Sequence, residues 1–379
     1  MPSDSYLGWL ALGLTPGLGA RLAGKLLREF GSPEAVFAAS LTSLEACRIT
    51  AQTAQAIRSQ QPLRAAEKEL ARVRELNYKL LTWDDPAYPG RLRDIYDPPP
   101  VLYVRGNAEL LAGHSISIVG SRKPSPYGVQ MAEKLGRELA SRGMVIVSGM
   151  ARGIDASAHR GALDGMKASG RGSTIGVLGT GVDVIYPKEN RKLHEEVAQH
   201  GCLISEFPLG SFAAPQNFPV RNRIIAGMSL GVAVVEGAQY SGSLITARLA
   251  MEFGREVYGV PGNVTNPGSF GPNQLIKQGA KLVMGWEDVV EELPTDIRAK
   301  LFPAETVPAE ERATLLEGMF SPEEKTLYSL LAVDSARHVD ELLELSGLSS
   351  GEVLAALFEL EMRGAIRQMP GKHFVKSLL

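Results

Sequence analysis

The chain has 379 residues, with 40 Lys+Arg against 42 Asp+Glu, six His, 40 Gly, 23 Pro and 2 Cys. At 44% hydrophobic and 22% charged, its composition is that of an ordinary globular chain and excludes the disordered, collagen-like and disulfide-rich classes. The length exceeds one compact core, so two or three domains are expected, and a net charge of -2, read as a chain average, argues against a nucleic-acid partner.

Cys47 and Cys202 lack CxxC spacing, which leaves neither a zinc module nor a disulfide scaffold. No apolar run approaches the roughly 20 residues needed to cross a bilayer. The N-terminus carries Asp4 and no basic stretch ahead of an apolar run, so it does not read as a signal peptide. A chain without membrane segments and a cytoplasmic location are therefore expected.

Residues 5–80 read as helical throughout. Apolar residues recur at helical spacing in Tyr6-Leu7-x-Trp9-Leu10 and in Leu22-x-x-x-Leu26-Leu27. Between them, Thr15-Pro16-Gly17-Leu18-Gly19 forms a tight helix–turn–helix connection, read as a packing turn or as a set of free amides for a phosphate. From about 112 the texture changes to short apolar runs separated by Gly-rich turns and amphipathic segments. The runs are Ser115–Val119, Met144–Val147, Thr174–Leu178, Cys202–Glu206, Gly231–Val235, Glu256–Val260 and Lys281–Val283. Helices are expected over Gly128–Arg142, Ile154–Leu163 and Leu244–Phe253. This alternation predicts an α/β fold with a parallel sheet covered on both faces. Ligands then bind beyond the C-terminal strand ends.

Residues 284–324 hold 11 acidic and 3 basic residues with four prolines, and read as an acidic linker, weakly structured at most. Ser321-Pro322-Glu323-Glu324 then caps a helix over 322–332. Helices over 339–345 and 350–363 and two short strands around Pro370-Gly371 follow, which is a winged-helix layout.

Every post-strand loop is rich in Gly with hydroxyl or basic residues. The loops are Gly120-Ser121-Arg122-Lys123-Pro124; Ser148 through Asp155; Gly179 through Asp183 with Tyr186-Pro187-Lys188-Glu189-Asn190-Arg191; Asn217 through Gly227; and Glu236 through Ala247. Glycines let amides approach an anion, helix N-termini add partial positive charge, and Arg or Lys neutralises it. Residues 120–191 carry 11 basic and 6 acidic residues, a local excess hidden by the chain average. With the planar side chains Tyr186, Phe218 and Tyr240, these loops suit a groove that tracks a single-strand backbone and stacks its bases.

Other chemistry fails on pattern. There is no Walker-type phosphate loop and no G-x-S-x-G elbow, and Gly179-Thr180-Gly181 lacks the third glycine of a dinucleotide fingerprint. The histidines are scattered. His159, one turn after Asp155, reads as helix-surface polarity rather than half of a metal pair. Asp155, Asp183, Glu206 and Glu236 stand at strand ends, where they read mainly as ion-pairing partners within the loops.

Taken in order, Ile118-Val119-Gly120-Ser121-Arg122, Ser148-Gly149-Met150-Ala151-Arg152-Gly153-Ile154-Asp155, Gly181-Val182-Asp183 with Tyr186-Pro187, Phe218-Pro219-x-Arg221-Asn222-Arg223-Ile224-Ile225-Ala226-Gly227 and Ser241-Gly242-Ser243-Leu244-Ile245-Thr246-Ala247 closely resemble the DNA-processing protein A (DprA/Smf) family of bacteria. The resemblance implies an extended Rossmann-like domain over 81–292, preceded by a sterile-alpha-motif-like helical domain over 1–80. An acidic linker over 293–320 and a winged-helix domain over 321–379 complete the chain. It implies binding of single-stranded DNA, a homodimer formed through the Rossmann domain, and a mediator that protects incoming strands and loads the RecA recombinase in natural transformation. On the family pattern Arg122 is the first phosphate ligand, followed by Lys188, Arg221, Asn222 and Arg223; Ser241, Gly242, Ser243 and Thr246 offer amides or hydroxyls at a helix start. Gly120, Ser121, Asn190 and Phe218 complete the expected site. No catalytic residue, metal or cofactor is carried over.

The tail departs from a DNA reader. Residues 321–379 hold 9 acidic and 6 basic residues, and the expected recognition helix carries Glu352, Glu359 and Glu361 against Arg363. Such a surface repels a phosphate wall, so protein contacts are expected of it instead. A nucleotide-processing enzyme of the lysine-decarboxylase-like Rossmann group is the alternative. Its Pro-Gly-Gly-x-Gly-Thr loop and catalytic Glu are missing here, because Gly237–Ala247 contains no carboxylate. A transcription regulator is weakened by the acidic recognition helix.

Overall fold

In the computed structural model, residues 5–301, 320–332, 336–363, 365–369 and 371–376 are described. The chain divides between 302 and 303 into two compact units.

The first unit is built on a sheet of nine strands in the order β1-β2-β6-β5-β4-β3-β7-β8-β9. These are β1 (Lys79–Thr82), β2 (Val101–Gly106), β3 (Ser115–Val119), β4 (Val145–Ser148), β5 (Ser173–Val177), β6 (Cys202–Ser205), β7 (Gly231–Val234), β8 (Glu256–Gly259) and β9 (Lys281–Leu282). From β6 to β9 all pairings are parallel, as the continuous apolar runs require. The two outer strands are a correction: β1 and β2 lie antiparallel to each other, and β2 antiparallel to β6. The helical reading of 5–80 accordingly fails at Lys79 and Leu80. A four-residue edge strand is too short to show an alternation against the long helix before it.

Six helices precede the sheet: α1 (Ser5–Leu14), α2 (Ala20–Phe30), α3 (Pro33–Ala38), α4 (Leu41–Ala46), α5 (Ala51–Arg58) and α6 (Gln61–Glu75). Buried Trp9, Leu10, Leu26, Phe37 and Leu70 share a core with Val101 and Tyr103 of β2, so these helices pack directly on the antiparallel end of the sheet. The Thr15–Gly19 connection is a packed turn. Leu18 is buried, and Thr15 donates its hydroxyl to the Ala11 carbonyl at 2.7 Å.

Strand alternation sends Ile116, Ile118 and Ile146 to one face, where they meet α8 (Pro126–Ser141) and α9 (Ile154–Ser169). Val119, Val145 and Val147 face the other side. There they meet α7 (Gly90–Arg93), α11 (Asn217–Met228) and α12 (Gly242–Glu252), while α10 (Arg191–His200) joins the core shared with α1–α6. A single helix, α13 (Phe270–Lys277), leads into β9.

The weakly structured reading of 284–324 is corrected over its first part. Two helices, α14 (Trp286–Glu291) and α15 (Thr295–Leu301), occupy it, and Val289, Val290, Leu293 and Ile297 bury themselves in the α8/α9 core. Their helical spacing was masked by the surrounding charge. The rest of the expected linker, 302–319, lies outside the described residues.

The second unit contains α16 (Pro322–Leu330), α17 (Val339–Ser346) and α18 (Ser350–Met362) with a three-stranded sheet in the order β10-β12-β11. The strands are β10 (Arg337–His338), β11 (Ile366–Met369) and β12 (His373–Lys376). Ser321 caps α16 and Ser349 caps α18, each with a Glu three residues on that returns a hydrogen bond. Phe320, Leu327, Leu342, Val353, Leu357, Leu360 and Phe374 form its own core. This is a winged helix, and the short β10 is an addition to the expected layout. Pro370 lies outside the described residues.

Candidate nucleic-acid interface

The strand order reverses between β3, which continues toward β4, and β7, which continues toward β8. Loops leaving these neighbouring strands diverge and open a crevice at the C-terminal sheet edge. A cleft of about 560 Å³ lies there, lined by Gly120, Ser121 and Arg122 after β3, Ala151 after β4, Phe218, Arg221 and Asn222 of α11, and Ser241, Gly242, Ser243 and Thr246 of α12. It adjoins a smaller recess of about 200 Å³, which shares Arg122, Ala151, Tyr186, Phe218 and Arg221 and adds Lys123, Arg152, Gly179 and Pro187.

Three helices begin at this edge without a side-chain cap: α9 after Gly153, α11 after Gln216 and α12 after Ser241. The first amides of α9 and α11 donate to the Ser121 and Ala214 carbonyls, and the N-terminal amides beyond them, with the helix dipole, attract anions. At α12 the Ser241 and Ser243 hydroxyls pair with each other at 2.7 Å, and Asn222 donates to the Gly242 carbonyl at 3.4 Å. Arg122 and Lys123 are exposed. The Arg122 guanidinium lies over the Phe218 ring, 5.6 Å from its centroid, and Tyr186 lies 5.4 Å from Phe218 with the rings tilted by 33°. A cation and two ring faces therefore stand together at the mouth of the cleft, suited to a phosphate beside a planar base.

The loop after β4 is braced from beneath. Buried Asp155 accepts from the Gly149 and Ala151 amides at 3.1 and 3.4 Å. Burial raises its pKa, against the pull of Arg221 and these amides. Arg221 is itself buried and donates to the Gly149 carbonyl at 2.7 Å and to that of Val177. Its guanidinium lies on Gly149, where a Cβ would come within 2.5 Å of it. Burial draws its pKa down to about 10, with Asp155 opposing. Arg221 thus borders the cleft while its hydrogen bonds go to the protein.

Three expected residues stand apart from the cleft. Arg223 is buried on another side of α11, paired in bidentate fashion with Glu206 at 2.6 and 2.7 Å and with Asp97 at 3.2 Å. Asn190 is buried and donates to the Met150 and Ala151 carbonyls, so it supports the loop rather than facing a ligand. Lys188 is exposed, next to Pro187 at the rim of the smaller recess. Lys123 and Arg152 line that recess but were not singled out from sequence, although both stand in the Gly-rich loops; Arg152 pairs with Glu189 at 2.8 Å.

The strand-end carboxylates differ from one another. Glu206 holds Arg223, and Asp183 accepts from the Gly210 amide and pairs with Arg72 of α6 at 3.7 Å. Glu236 makes no ion pair among the described residues. Instead it accepts from the Ser125 amide at 2.9 Å and from the Ser125 hydroxyl, which anchors the start of α8. His159 is a correction: it is fully buried rather than on a helix surface. Thr174 gives its hydroxyl proton to the Ile146 carbonyl, so His159 Nδ1 is the donor to Thr174 at 2.6 Å. No group of three or more His, Cys, Asp or Glu among the described residues is placed to hold a metal ion.

An extended Rossmann-type domain, with its crevice at the switch point and a winged helix further along the chain, is the class these features define. Residues 79–294 match the family model for DNA recombination-mediator protein A, and residues 303–372 match the DprA winged-helix domain. The chain is 47% identical over 226 residues to the DNA processing protein DprA of Bacillus subtilis, covering 59% of this chain and 74% of that protein. It is 40% identical over 318 residues to Protein Smf of Escherichia coli, covering 82% and 80%. The chain belongs to the DNA recombination-mediator protein A (DprA/Smf) family. Among solved structures it is similar to DprA from Streptococcus pneumoniae (TM-score 0.66, 34% identity, 77% of this chain and 98% of that one). It is also similar to DNA processing protein A from Helicobacter pylori, whose structure concerns its single-stranded DNA binding mode (TM-score 0.51, 32% identity, 56% and 94%).

Proposed function

We propose that the switch-point cleft binds single-stranded DNA and that the protein acts as a non-enzymatic recombination mediator. The observation that carries this reading is the stack of Arg122 over Phe218 beside Tyr186, at an edge where three uncapped helix N-termini converge. Phosphates meet Arg122, Lys123, Lys188 and the amides and hydroxyls of Gly120, Ser121, Ser241, Gly242, Ser243 and Thr246, while Phe218 and Tyr186 offer ring faces to bases. Arg221 and Asn190 brace the loop after β4 from within, Asn222 stands in the cleft wall, and Arg223 serves the fold of α11 rather than the ligand. The Helicobacter pylori neighbour supports the ligand class.

The wider role follows the family resemblance: protection of incoming strands, loading of RecA in natural transformation, and action as a cytoplasmic homodimer with divisions at 80 and 320, the expected middle boundary at 292 moving to 302 because α15 packs in the first unit. No helix among the described residues is long and apolar enough to cross a membrane. The test is titration of a fluorescent oligo-dT at several salt concentrations with wild type and Arg122→Ala. We expect a steep salt dependence, preference for single over double strands, and about tenfold or greater weakening in the variant, since a charge-assisted hydrogen bond contributes ~1.5–3 kcal/mol. Salt-insensitive binding, or hydrolysis of nucleoside monophosphates, would overturn the reading in favour of an enzyme.

A further inference from the structure

The winged helix presents a surface that its own core does not explain. Along α18, Val353, Ala356, Leu357 and Leu360 turn inward, whereas Leu354, Phe358 and Met362 stand at intervals of four residues on the outer face. These three are 58%, 61% and 71% exposed. A stripe of this kind spans about 12 Å, two helical turns. Beside it runs a groove of about 380 Å³ floored by Leu343, Leu357 and Phe374 and edged by Asp340, Glu361 and Lys372.

Charge says what kind of surface fits. From Val339 to Met362 the chain has six acidic residues and no Lys or Arg. Asp340 and Glu341 open α17, and Glu359 and Glu361 flank Phe358 on α18. The next cation, Arg363, turns back to Glu324 at 3.1 Å and Glu359 at 3.9 Å. Duplex DNA and anionic membranes are repelled by such a face, and so is a second copy of it. An apolar stripe at spacing i, i+4, i+8 with a groove alongside is the geometry that receives one face of an amphipathic helix. The rim, acidic apart from Lys372 at one edge, selects a partner that is mainly of the other sign.

We propose that this face docks a basic amphipathic helix of a partner protein, its apolar side on Leu354, Phe358 and Met362 and its Lys or Arg residues against the acidic rim. The inference is independent of what the switch-point cleft binds.

The test uses the full chain and a fluorescein-labelled 18-residue helical peptide with Leu on one face and Lys on the other, beside a twin with Glu in place of Lys. Anisotropy should show saturable binding of the Lys peptide, weaker at high salt, and none of the Glu twin. Phe358→Glu adds a negative charge, so plain attraction between charges would strengthen binding. Docking on the stripe predicts weakening by roughly tenfold or more. Leu354→Gln, a milder change on the same exposed face, is read in parallel and keeps the test decisive if one variant loses its fold. Equal binding of both peptides, or binding that neither substitution weakens, would overturn the proposal. So would duplex DNA binding, or a self-association of this face, that Phe358→Glu abolishes.

Discussion

Replacing Arg223 by Met should destabilise the protein heavily while leaving its affinity for single-stranded DNA nearly unchanged. The Arg223 side chain is only 6% exposed and neutralises two carboxylates, Glu206 and Asp97, themselves 14% and 19% exposed. Met retains most of the aliphatic packing, so the loss is mainly electrostatic. Breaking a buried pair by removing one partner costs about 3–5 kcal/mol, because the other charge stays buried without compensation. For a unit of this size that corresponds to a fall in Tm of roughly 6–15 °C. Burial already raises the pKa of Asp97, with Arg223 opposing, so the variant's carboxylate should move higher still. An acid whose folded pKa is raised destabilises the fold when ionised and regains stability as pH falls through that pKa. The gap between wild type and variant should therefore narrow from pH 7 to pH 5, and adding Glu206→Gln should recover part of it. Urea unfolding at both pH values, with oligo-dT titration well below Tm, checks each part. Stability within about 1 kcal/mol of wild type, together with a loss of binding beyond tenfold, would show that Arg223 reaches the nucleic acid and would refute the reasoning.

Phe218→Ala should weaken oligo-dT binding by roughly 1–3 kcal/mol while changing the salt dependence little, because stacking carries no counterions; Arg122→Ala should reduce both affinity and the salt slope, and matching slopes for the two variants would contradict these roles. His159 and His194 are both fully buried, and burial lowers their pKa values to about 3 and about 4. A histidine whose folded pKa is depressed leaves the unfolded chain binding more protons below pH 6.5, so stability should fall as pH drops from 6.5 toward 4. His194→Asn should flatten that fall, as read from urea midpoints across the range; an unchanged slope would sink the assignment.

Much of the fold was legible because each level of pattern agreed. Continuous apolar runs such as Ser115–Val119 and Gly231–Val235 became parallel strands, the Ser321 cap opened its helix where expected, and the last helix began at 350 as read. What failed did so where a signal was short or masked. β1 and β2 flank the helical region with antiparallel pairings that no local periodicity announces. The helices α14 and α15 carry their buried Val289, Val290, Leu293 and Ile297 inside an acidic stretch whose composition resembles a linker.

The candidate site divides the same way. By itself the sequence determined that Gly-rich, basic loops follow successive strands, that positive charge gathers in 120–191, and that the tail is acidic. These are properties of residue order, and the averaged charge of -2 conceals them. It could not determine which arginine is available. Arg221 and Arg223 stand two positions apart on α11, about 200° around the helix, and both point into the protein toward different partners: the carbonyls of Gly149 and Val177, and the carboxylates of Glu206 and Asp97. Arg122, on a loop beyond a strand end, has no such enclosure and lies over Phe218 at the cleft mouth. An identical guanidinium is a brace in one place and an exposed cation in another. The difference lies in burial and in partners drawn from up to 126 residues away along the chain, which only the assembled sheet brings together.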